Sequence, residues 1–274
     1  MRADLHMHST YSDGRLTPLE VIKRAKRNGI DIISITDHDI ISGADEIKGY
    51  ANQEGIRYIP GIELSTIYKE KSVHLLGYFT DESYYSKEII GYSTRIKLRR
   101  EERAIKIILK LKKYFDIEIS YNEVFKLARG IIARPHIAKV INSKYPEYSL
   151  DYIFKNFIGD QNKAYVPSSL LSVQQGIDML KRNNCVVVLA HPVLLKEHIK
   201  DFVLSHQFDG IEAIYIKNTE EDEKEYREYA LKNGIIITAG SDYHGIENDS
   251  SHGDIGDKYL EGKDLEEFLL KFNK

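Results

Sequence analysis

The chain has 274 residues, of which 42% are hydrophobic and 30% are charged, which is enough apolar material for one large domain or two smaller ones. Its 39 Lys and Arg residues nearly balance 42 Asp and Glu residues, for a formal net charge of −3. This balance excludes a global basic field for holding long nucleic acids, so any anion must be bound by local groups. The sequence contains no apolar run of membrane-spanning length and no leader pattern, and we expect no membrane association. A single cysteine, Cys185, excludes an internal disulfide and fits the cytoplasm.

The first third of the chain alternates short apolar runs with amphipathic stretches. The pattern predicts strands at residues 3–8, 31–36, 57–63 and 73–79, and helices at 17–28 and 43–54. Thr17 is a suitable N-cap for the first helix, with Pro18 at N1 and Glu20 at N3, and Asn28-Gly29 is a typical helix end.

The alternation returns near residue 165. It predicts helices at 173–183 and 220–233 and strands at 186–191, 210–214 and 235–239. Seven Val- and Ile-rich strands separated by helices favour parallel β/α units. We therefore expect an α/β fold, a TIM-like (β/α) barrel of seven strands with its active site at the carboxyl ends of the strands.

Between the fourth and fifth strands the pattern is helical only. Helices are predicted at residues 86–114, 121–129, 134–142 and 150–157. We interpret residues 81–164 as an all-helical insertion domain, and residues 1–80 and 165–274 as the barrel domain. An insertion after the carboxyl end of a strand is suited to cover an active site.

Histidines and acidic residues recur at or near the ends of the predicted strands. These residues are His6, His8, Asp13, His38, Glu63, His74, His191, Asp242 and His244. Each alone has an ordinary explanation, such as a surface histidine or an acidic helix N-cap. Together they predict a cluster that binds divalent metal ions, which accept imidazole and carboxylate ligands. His252, by contrast, lies in a predicted polar loop, and we do not expect it to support the ligands or to bind substrate.

Such a cluster indicates phosphate ester hydrolysis. Neighbouring metal ions lower the pKa of a bridging water from 15.7 to about 7 and neutralise phosphoryl oxygens. We therefore expect in-line attack of a metal-bridged hydroxide, with a metal-bound water or His244 as the leaving-group acid. The chain has neither a Gly-x-Ser-x-Gly motif nor a P-loop that would indicate another chemistry.

The motifs together resemble the PHP (polymerase and histidinol phosphatase) family. They are Asp4-Leu5-His6-Met7-His8-Ser9, Ser12-Asp13-Gly14, Ile35-Thr36-Asp37-His38, Pro60-Gly61-Ile62-Glu63, Val73-His74-Leu75-Leu76-Gly77-Tyr78, Ala190-His191-Pro192 and Gly240-Ser241-Asp242-Tyr243-His244-Gly245. The resemblance implies a distorted (β/α)7 barrel and a site for two to three Mn, Fe or Zn ions.

The resemblance also implies a division of the ligands among three metals. The first metal would be held by His6, His8, Glu63 and Asp242. The second would be held by Asp13, His38 and His244, and the third by His74 and His191 with Glu63 bridging. Every ligand position of the family is filled in this chain.

The insertion contains two groups of basic residues. Arg95, Arg99 and Arg103 fall within an arc of about 80° on a helix, although charged helix faces are often simply solvated. Arg134-Pro135-His136 opens another helix, with Pro135 expected at N1, where free N–H groups favour phosphate; a local cap is the alternative. These features resemble a PHP subgroup that acts on 3′,5′-nucleoside bisphosphates or on RNA 5′ ends. The resemblance implies that Arg99, Arg103, Arg134 and His136 bind the non-scissile phosphate and sugar.

The sequence thus predicts a metal-dependent phosphoesterase. Its expected partners are small nucleotides or short oligonucleotides, with no obligate protein partner. The expected reaction is removal of the 3′-phosphate from 3′,5′-nucleoside bisphosphates, or 5′-end trimming of short RNA. A histidinol-phosphate phosphatase, a DNA exonuclease with the same site, and a non-catalytic metal-stabilised scaffold are the alternatives.

Overall fold

The computed structural model describes residues 1–41, 43–69, 71–128, 131–159, 161–167, 171–195, 200–201, 204–247 and 251–272. The chain divides into two compact units. The first comprises Met1–Gly91 with Leu171–Lys274, and the second is Tyr92–Leu170. The sequence places the boundaries of the insertion at residues 81 and 164 instead.

Strands and helices alternate along much of the first unit. The strands are β1 (Arg2–Met7), β2 (Ile32–Ile35), β3 (Arg57–Tyr58), β4 (Gly61–Tyr68), β5 (Lys71–Phe79), β6 (Leu171–Ser172), β7 (Cys185–Leu189), β8 (Gly210–Tyr215), β9 (Ile236–Gly240) and β10 (Leu260–Glu261). The helices are α1 (Pro18–Arg27), α2 (Ala44–Glu54), α3 (Lys87–Phe115), α4 (Tyr121–Ala128), α5 (Arg134–Lys144), α6 (Leu150–Ile153), α7 (Val173–Arg182), α8 (Glu220–Asn233) and α9 (Gly262–Leu270).

The strands of the first unit form two mixed sheets. One sheet has the order β10-β1-β2-β3, and the other has the order β6-β4-β5-β7-β8-β9. All residues of β2, β7 and β9 are buried, as expected for strands covered on both faces. The α/β class expected from the sequence is therefore correct.

The expected closed ring of parallel strands is not confirmed among the described residues. Isolated parallel bridges, Met7 to Tyr243 and His38 to Glu63, join the two sheets. The first junction is extended by hydrogen bonds from the Asp242 N–H to the His6 carbonyl and from the His8 N–H to the Tyr243 carbonyl, both 2.8 Å long. The two sheets thus meet beyond the carboxyl ends of β1, β2 and β9.

The prediction of a single strand at residues 57–63 is wrong. The chain there makes β3, paired with β2, and then β4, paired with β5. Pro60 lies between them and has no N–H to donate to a sheet. The break lets the chain pass from one sheet to the other.

The prediction of parallel pairing is also wrong around β5. A short connection between Tyr68 and Lys71 reverses the chain, and β5 runs antiparallel to both β4 and β7. Lys69 has a positive φ of 43°, which suits a tight reversal. As a result, the amino-terminal half of β5 lies at the edge where the neighbouring strands have their carboxyl-terminal halves.

The helices of the first unit begin where the sequence indicates. Thr17 caps α1 and the Glu20 carboxylate accepts from the Thr17 N–H at 2.7 Å, completing the predicted capping box. Val21, Ile22 and Ala25 of α1 are buried in the same apolar cluster as Met7 of β1. This packing holds α1 against β1, which contains His6 and is followed directly by His8.

The second unit has its own apolar core. Buried residues of α3, α4 and α5 contribute to it, among them Ile107, Leu111, Val124, Ile137 and Ile141. The helix predicted at 121–129 is observed at Tyr121–Ala128, and residue 129 lies outside the described residues. Within the described part of the chain, no helix is long and apolar enough to cross a membrane.

Candidate metal centre

The His6-Met7-His8 segment supplies two imidazoles from one strand. Successive residues of a strand point to opposite faces, so Met7 enters the apolar cluster under α1 while His6 and His8 point to the other face. Both imidazoles are completely buried. Strand geometry thus explains why the two histidines are separated by one residue.

Glu63 and His74 come from neighbouring antiparallel strands. Glu63 is the third residue of β4, and His74 is the fourth residue of β5, opposite Ser65. The sequence places His74 near the start of a predicted strand at 73–79, and the structure places it in the amino-terminal half of β5. His74 reaches the same edge because β5 runs in the opposite direction, and its Nδ1 lies 2.7 Å from Glu63 Oε1.

His191 and Asp242 follow β7 and β9 in unusual backbone conformations. Their φ angles are +26° and +54°, respectively. Such conformations cost about 1–3 kcal/mol each in non-glycine residues and are concentrated at functional sites. The turn at Asp242 is held by its N–H, which donates to the His6 carbonyl.

The structure brings the nine predicted residues together in one cluster. The first group contains His6, His8, Glu63 and Asp242, whose ligand atoms all lie within 4.8 Å of one another. His6 Nε2 lies 3.4 Å from Glu63 Oε2 and 3.3 Å from Asp242 Oδ1, and His8 Nε2 lies 3.2 Å from each of the same oxygens.

Three further groups adjoin the first and share residues with it. One contains His8, Asp13, His38 and His244, and another contains His38, Glu63 and His74; a third contains Asp242, His244 and His252. His191 Nε2 lies 3.0 Å from Glu63 Oε1. This grouping differs from the division implied by family resemblance, since His8 and His38 each adjoin two groups.

These residues fit divalent metal ions. Four of the buried atoms that lack a hydrogen-bond partner among the described residues belong to the cluster: His6 Nε2, His8 Nε2, His38 Nδ1 and Glu63 Oε2. Two ligands at about 2.1 Å from one ion stand roughly 3.0–3.4 Å apart, and the separations in the first group fall in this range. Unpaired buried polar atoms are costly, and a shared cation would satisfy them.

Imidazoles and carboxylates in the cluster shift one another's pKa. Burial opposes protonation of His6, but the Glu212, Asp242 and Glu63 carboxylates outweigh burial and raise the pKa of His6 well above its usual value. The pKa of His8 is raised to about 10, because Asp242 and Glu63 overcome the effect of burial. In turn, despite burial, neighbouring imidazoles hold the pKa of Glu63 well below its usual value. The Glu63 carboxylate is therefore ionised, and cation binding would displace protons from imidazoles.

Glu212 is a buried residue of the site that the sequence interpretation missed. Its Oε1 lies 2.9 Å from His6 Nδ1, and its Oε2 accepts from the His191 N–H at 2.7 Å. The sequence feature that could have identified it is a carboxylate between Ile211 and Ala213 in an otherwise apolar strand.

Two aspartates hold the segments that carry the ligands. Asp37 accepts from the Ser9 N–H at 2.8 Å and from the hydroxyl groups of Ser9 and Ser12. Asp4 accepts from the Ser241 hydroxyl at 2.6 Å. These bonds fix the loop leading to Asp13 and the turn before Asp242.

His252 also lies beside the cluster, where the sequence interpretation did not expect it. Its ring centroid is 4.2 Å from that of His244, and its Nε2 is 3.9 Å from Asp242 Oδ2. The Tyr215 hydroxyl donates to the same Asp242 oxygen at 3.0 Å.

The basic residues of the second unit gather near Tyr165. The guanidinium groups of Arg103 and Arg134 lie 6.0 and 5.7 Å from the centroid of its ring. Arg103 Nε donates to the Val166 carbonyl at 2.8 Å, and Arg99 and Arg103 line a cavity of about 120 Å³.

His136 has a local role at the start of α5. Ala133 is the N-cap, so Arg134 occupies N1 and Pro135 occupies N2, not the expected N1. His136 Nδ1 accepts from the Ala133 N–H at 3.0 Å, and the side chain is buried. The local capping role left open by the sequence is therefore observed.

Comparison with known proteins agrees with this site. A 5′-3′ exoribonuclease of Haemophilus influenzae is 28% identical over 88% of this chain and 89% of its own length. A 3′,5′-nucleoside bisphosphate phosphatase of Chromobacterium violaceum is 26% identical over 88% of this chain and 86% of its own length. A solved structure from Bifidobacterium adolescentis, assigned as a metal-dependent phosphoesterase, is 25% identical with a TM-score of 0.79, covering 98% of this chain and 96% of that one. The family model described as the PHP domain matches residues 4–163, more than half of the sequence, and the chain therefore belongs to the PHP domain family.

Proposed function

We propose that this protein is a metal-dependent phosphoesterase of nucleotides. Its substrates would be 3′,5′-nucleoside bisphosphates, from which it removes the 3′-phosphate, or short RNA, which it trims from the 5′ end. The relatives named above act on these two classes of substrate. The observation that carries the proposal is the convergence of His6 Nε2, His8 Nε2, Glu63 Oε2 and Asp242 Oδ1.

We assign two to three Mn, Fe or Zn ions to the nine clustered residues. Bound there, such ions would neutralise phosphoryl oxygens and lower the pKa of water. The chain itself holds the ligands rigidly: the Tyr215 hydroxyl orients Asp242, and Glu212 orients His6. Complete burial of His6 and His8 keeps competing water away from their ring nitrogens.

His244 is better suited as a ligand than as an acid. Its Nδ1 lies 2.7 Å from the Asp242 carbonyl oxygen, which favours an N–H at that position. Its Nε2 then faces Asp13 Oδ1 at 3.4 Å as a potential donor to a cation. We therefore propose that His244 is a metal ligand and that a solvent molecule donates the proton to the leaving group.

The basic residues of the second unit are proposed to bind the non-scissile phosphate. Two observations support this proposal. Arg99 and Arg103 line the same cavity, and the guanidinium groups of Arg103 and Arg134 both lie near the Tyr165 ring. Guanidinium groups form paired hydrogen bonds with phosphate oxygens. His136 would contribute less, because its Nδ1 serves the helix cap.

Two finer aspects of the fold and location are also proposals. A distorted seven-stranded barrel is supported by the bridges from Met7 to Tyr243 and from His38 to Glu63. A cytoplasmic location is supported by the single buried thiol of Cys185.

A substrate panel with Mn²⁺-loaded protein tests the function. Adenosine 3′,5′-bisphosphate, a 5′-phosphorylated RNA pentamer, a DNA pentamer and histidinol phosphate are compared by release of phosphate or nucleotide. We expect hydrolysis of the bisphosphate or the RNA, and a loss of at least 100-fold in His8→Ala. His206→Ala, a histidine outside the cluster, is the matched control. Preference for histidinol phosphate or DNA, or equal activity in His8→Ala, would overturn the proposal.

A further inference from the structure

The loop that carries His252 is fixed to α1. The Asp254 carboxylate accepts from Arg24 Nε at 2.6 Å and from Arg24 Nη2 at 2.7 Å. Asn28 Nδ2 donates to the Ile255 carbonyl at 2.6 Å. A paired guanidinium–carboxylate contact fixes direction as well as distance, so residues 254 and 255 have a defined position.

The same loop is fixed to β1 and β9 from its other side. The Gly256 N–H donates to Asp4 Oδ2 at 2.9 Å, and the Gly253 N–H donates to the Ser241 carbonyl at 2.8 Å. Asp4 precedes His6 by two residues, and Ser241 directly precedes Asp242. The loop is therefore held by the same backbone segments that position the metal ligands.

His252 occupies the solvent side of two of those ligands. Its side chain is 26% exposed, whereas those of His244 and Asp242 are 6% and 7% exposed. Asp242 directs Oδ1 towards His6 and His8, and His252 lies on the side of Oδ2. The 3.9 Å separation from Oδ2 is too long for a hydrogen bond.

We propose that His252 is a substrate-binding residue that donates an N–H to an oxygen of the phosphate held at the metal centre. This inference rests on the proposed function, since it assigns one contact of the scissile phosphate. An imidazole packed on His244 and carried by an anchored loop loses little freedom on binding. A hydrogen bond to an anionic oxygen is stronger than one between neutral groups. Its position on the exposed side of the cluster suits contact with a ligand that enters from solvent.

Inorganic phosphate binding to Mn²⁺-loaded protein provides the test. Titration calorimetry measures the dissociation constant for wild type, His252→Ala and His252→Gln, and metal analysis measures Mn²⁺ bound per chain. We expect phosphate to bind about 10-fold more weakly to His252→Ala, with partial recovery in His252→Gln, whose amide retains an N–H. Metal content should remain at the wild-type level in both variants. His206→Ala, the matched histidine control, should bind phosphate as wild type does.

Three outcomes would overturn the inference. A phosphate dissociation constant of His252→Ala within 2-fold of wild type would exclude the contact. A loss of bound Mn²⁺ would make His252 a metal ligand instead, and wild-type protein that binds no phosphate would remove the basis for the contact.

KM for adenosine 3′,5′-bisphosphate should rise in parallel with the phosphate dissociation constant. If wild type binds phosphate but hydrolyses no substrate, the proposed function fails while the role of His252 is still decided by phosphate affinity.

Discussion

Glu212 Oε1 lies 2.9 Å from His6 Nδ1, and both side chains are completely buried. A carboxylate at Nδ1 fixes the ring orientation and leaves Nε2 directed at Glu63 and Asp242. Carboxylates in this position make a histidine a better metal ligand, and their loss typically costs 10–100-fold in metal affinity or activity. The backbone N–H of His191 donates to the other oxygen of Glu212, so one residue positions two parts of the site.

Replacing Glu212 should therefore weaken metal binding. We expect Glu212→Ala to lower Mn²⁺ affinity about 10–100-fold, because His6 loses its orienting partner. Glu212→Gln should lose less, since the amide oxygen can still accept from Nδ1–H. Calorimetric titration with Mn²⁺ measures the effect, with the exposed Glu228→Gln as the control. Unchanged affinity in Glu212→Ala would show that packing alone orients His6.

Metal removal should lower thermal stability. A ligand that binds only the folded state at 100 times its dissociation constant stabilises a protein by about 2.7 kcal/mol. For a chain of this size we expect EDTA to lower Tm by about 5–10 °C relative to Mn²⁺-loaded protein. Differential scanning calorimetry measures the shift, which should shrink strongly in His8→Ala. An equal shift in that variant would place the stabilising ion elsewhere.

Much of the candidate site could be predicted because its ligands belong to short, ordered motifs. His6 and His8 share one strand, and the alternation of side chains alone puts them on one face. Glu212 could not be assigned in this way, because its contact with His6 joins residues 206 positions apart in the chain. His252 is similar, since only the anchoring of Asp254 by Arg24 gives its loop a position.

The fold was predicted less completely, because strand direction depends on pairing. The apolar run at β5 looks the same in a parallel or an antiparallel sheet. The hairpin of β4 and β5 reverses it and determines which end of the strand carries His74. Pro60 was a local signal for the break before β4, and it was visible in the sequence.

The ion pair of Arg24 and Asp254 predicts a pH dependence of stability. The Arg24 guanidinium holds the pKa of Asp254 below its usual value of 3.8. A carboxylate with a lowered pKa stabilises the folded state above its unfolded pKa, and this contribution is lost as pH falls through the lower, folded value. Asp254→Asn should therefore lower Tm at pH 7, and the difference from wild type should shrink as pH falls below 3.8 towards the folded pKa. Thermal unfolding from pH 7 to pH 3, with Asp151→Asn in the second unit as the control, measures it. A difference that stays constant over this range would mean that the ionised carboxylate is not the source.

Gly240 is predicted to be irreplaceable where β9 passes β1. A Cβ at this position would lie 2.2 Å from His6 Cβ and 2.8 Å from Glu212 Oε1, closer than side chains can approach. Gly240→Ala should push His6 and Glu212 apart and destabilise the fold by about 1–3 kcal/mol. It should also lower Mn²⁺ affinity, because the displaced imidazole is a proposed ligand.

Gly49→Ala is the matched control: Gly49 lies within α2 with open space around it, so alanine there should leave metal binding intact and stabilise the fold by roughly 0.5–1 kcal/mol. Denaturant unfolding and Mn²⁺ titration of both variants distinguish the two positions, and wild-type Mn²⁺ affinity in Gly240→Ala would contradict the close packing of β9 on His6.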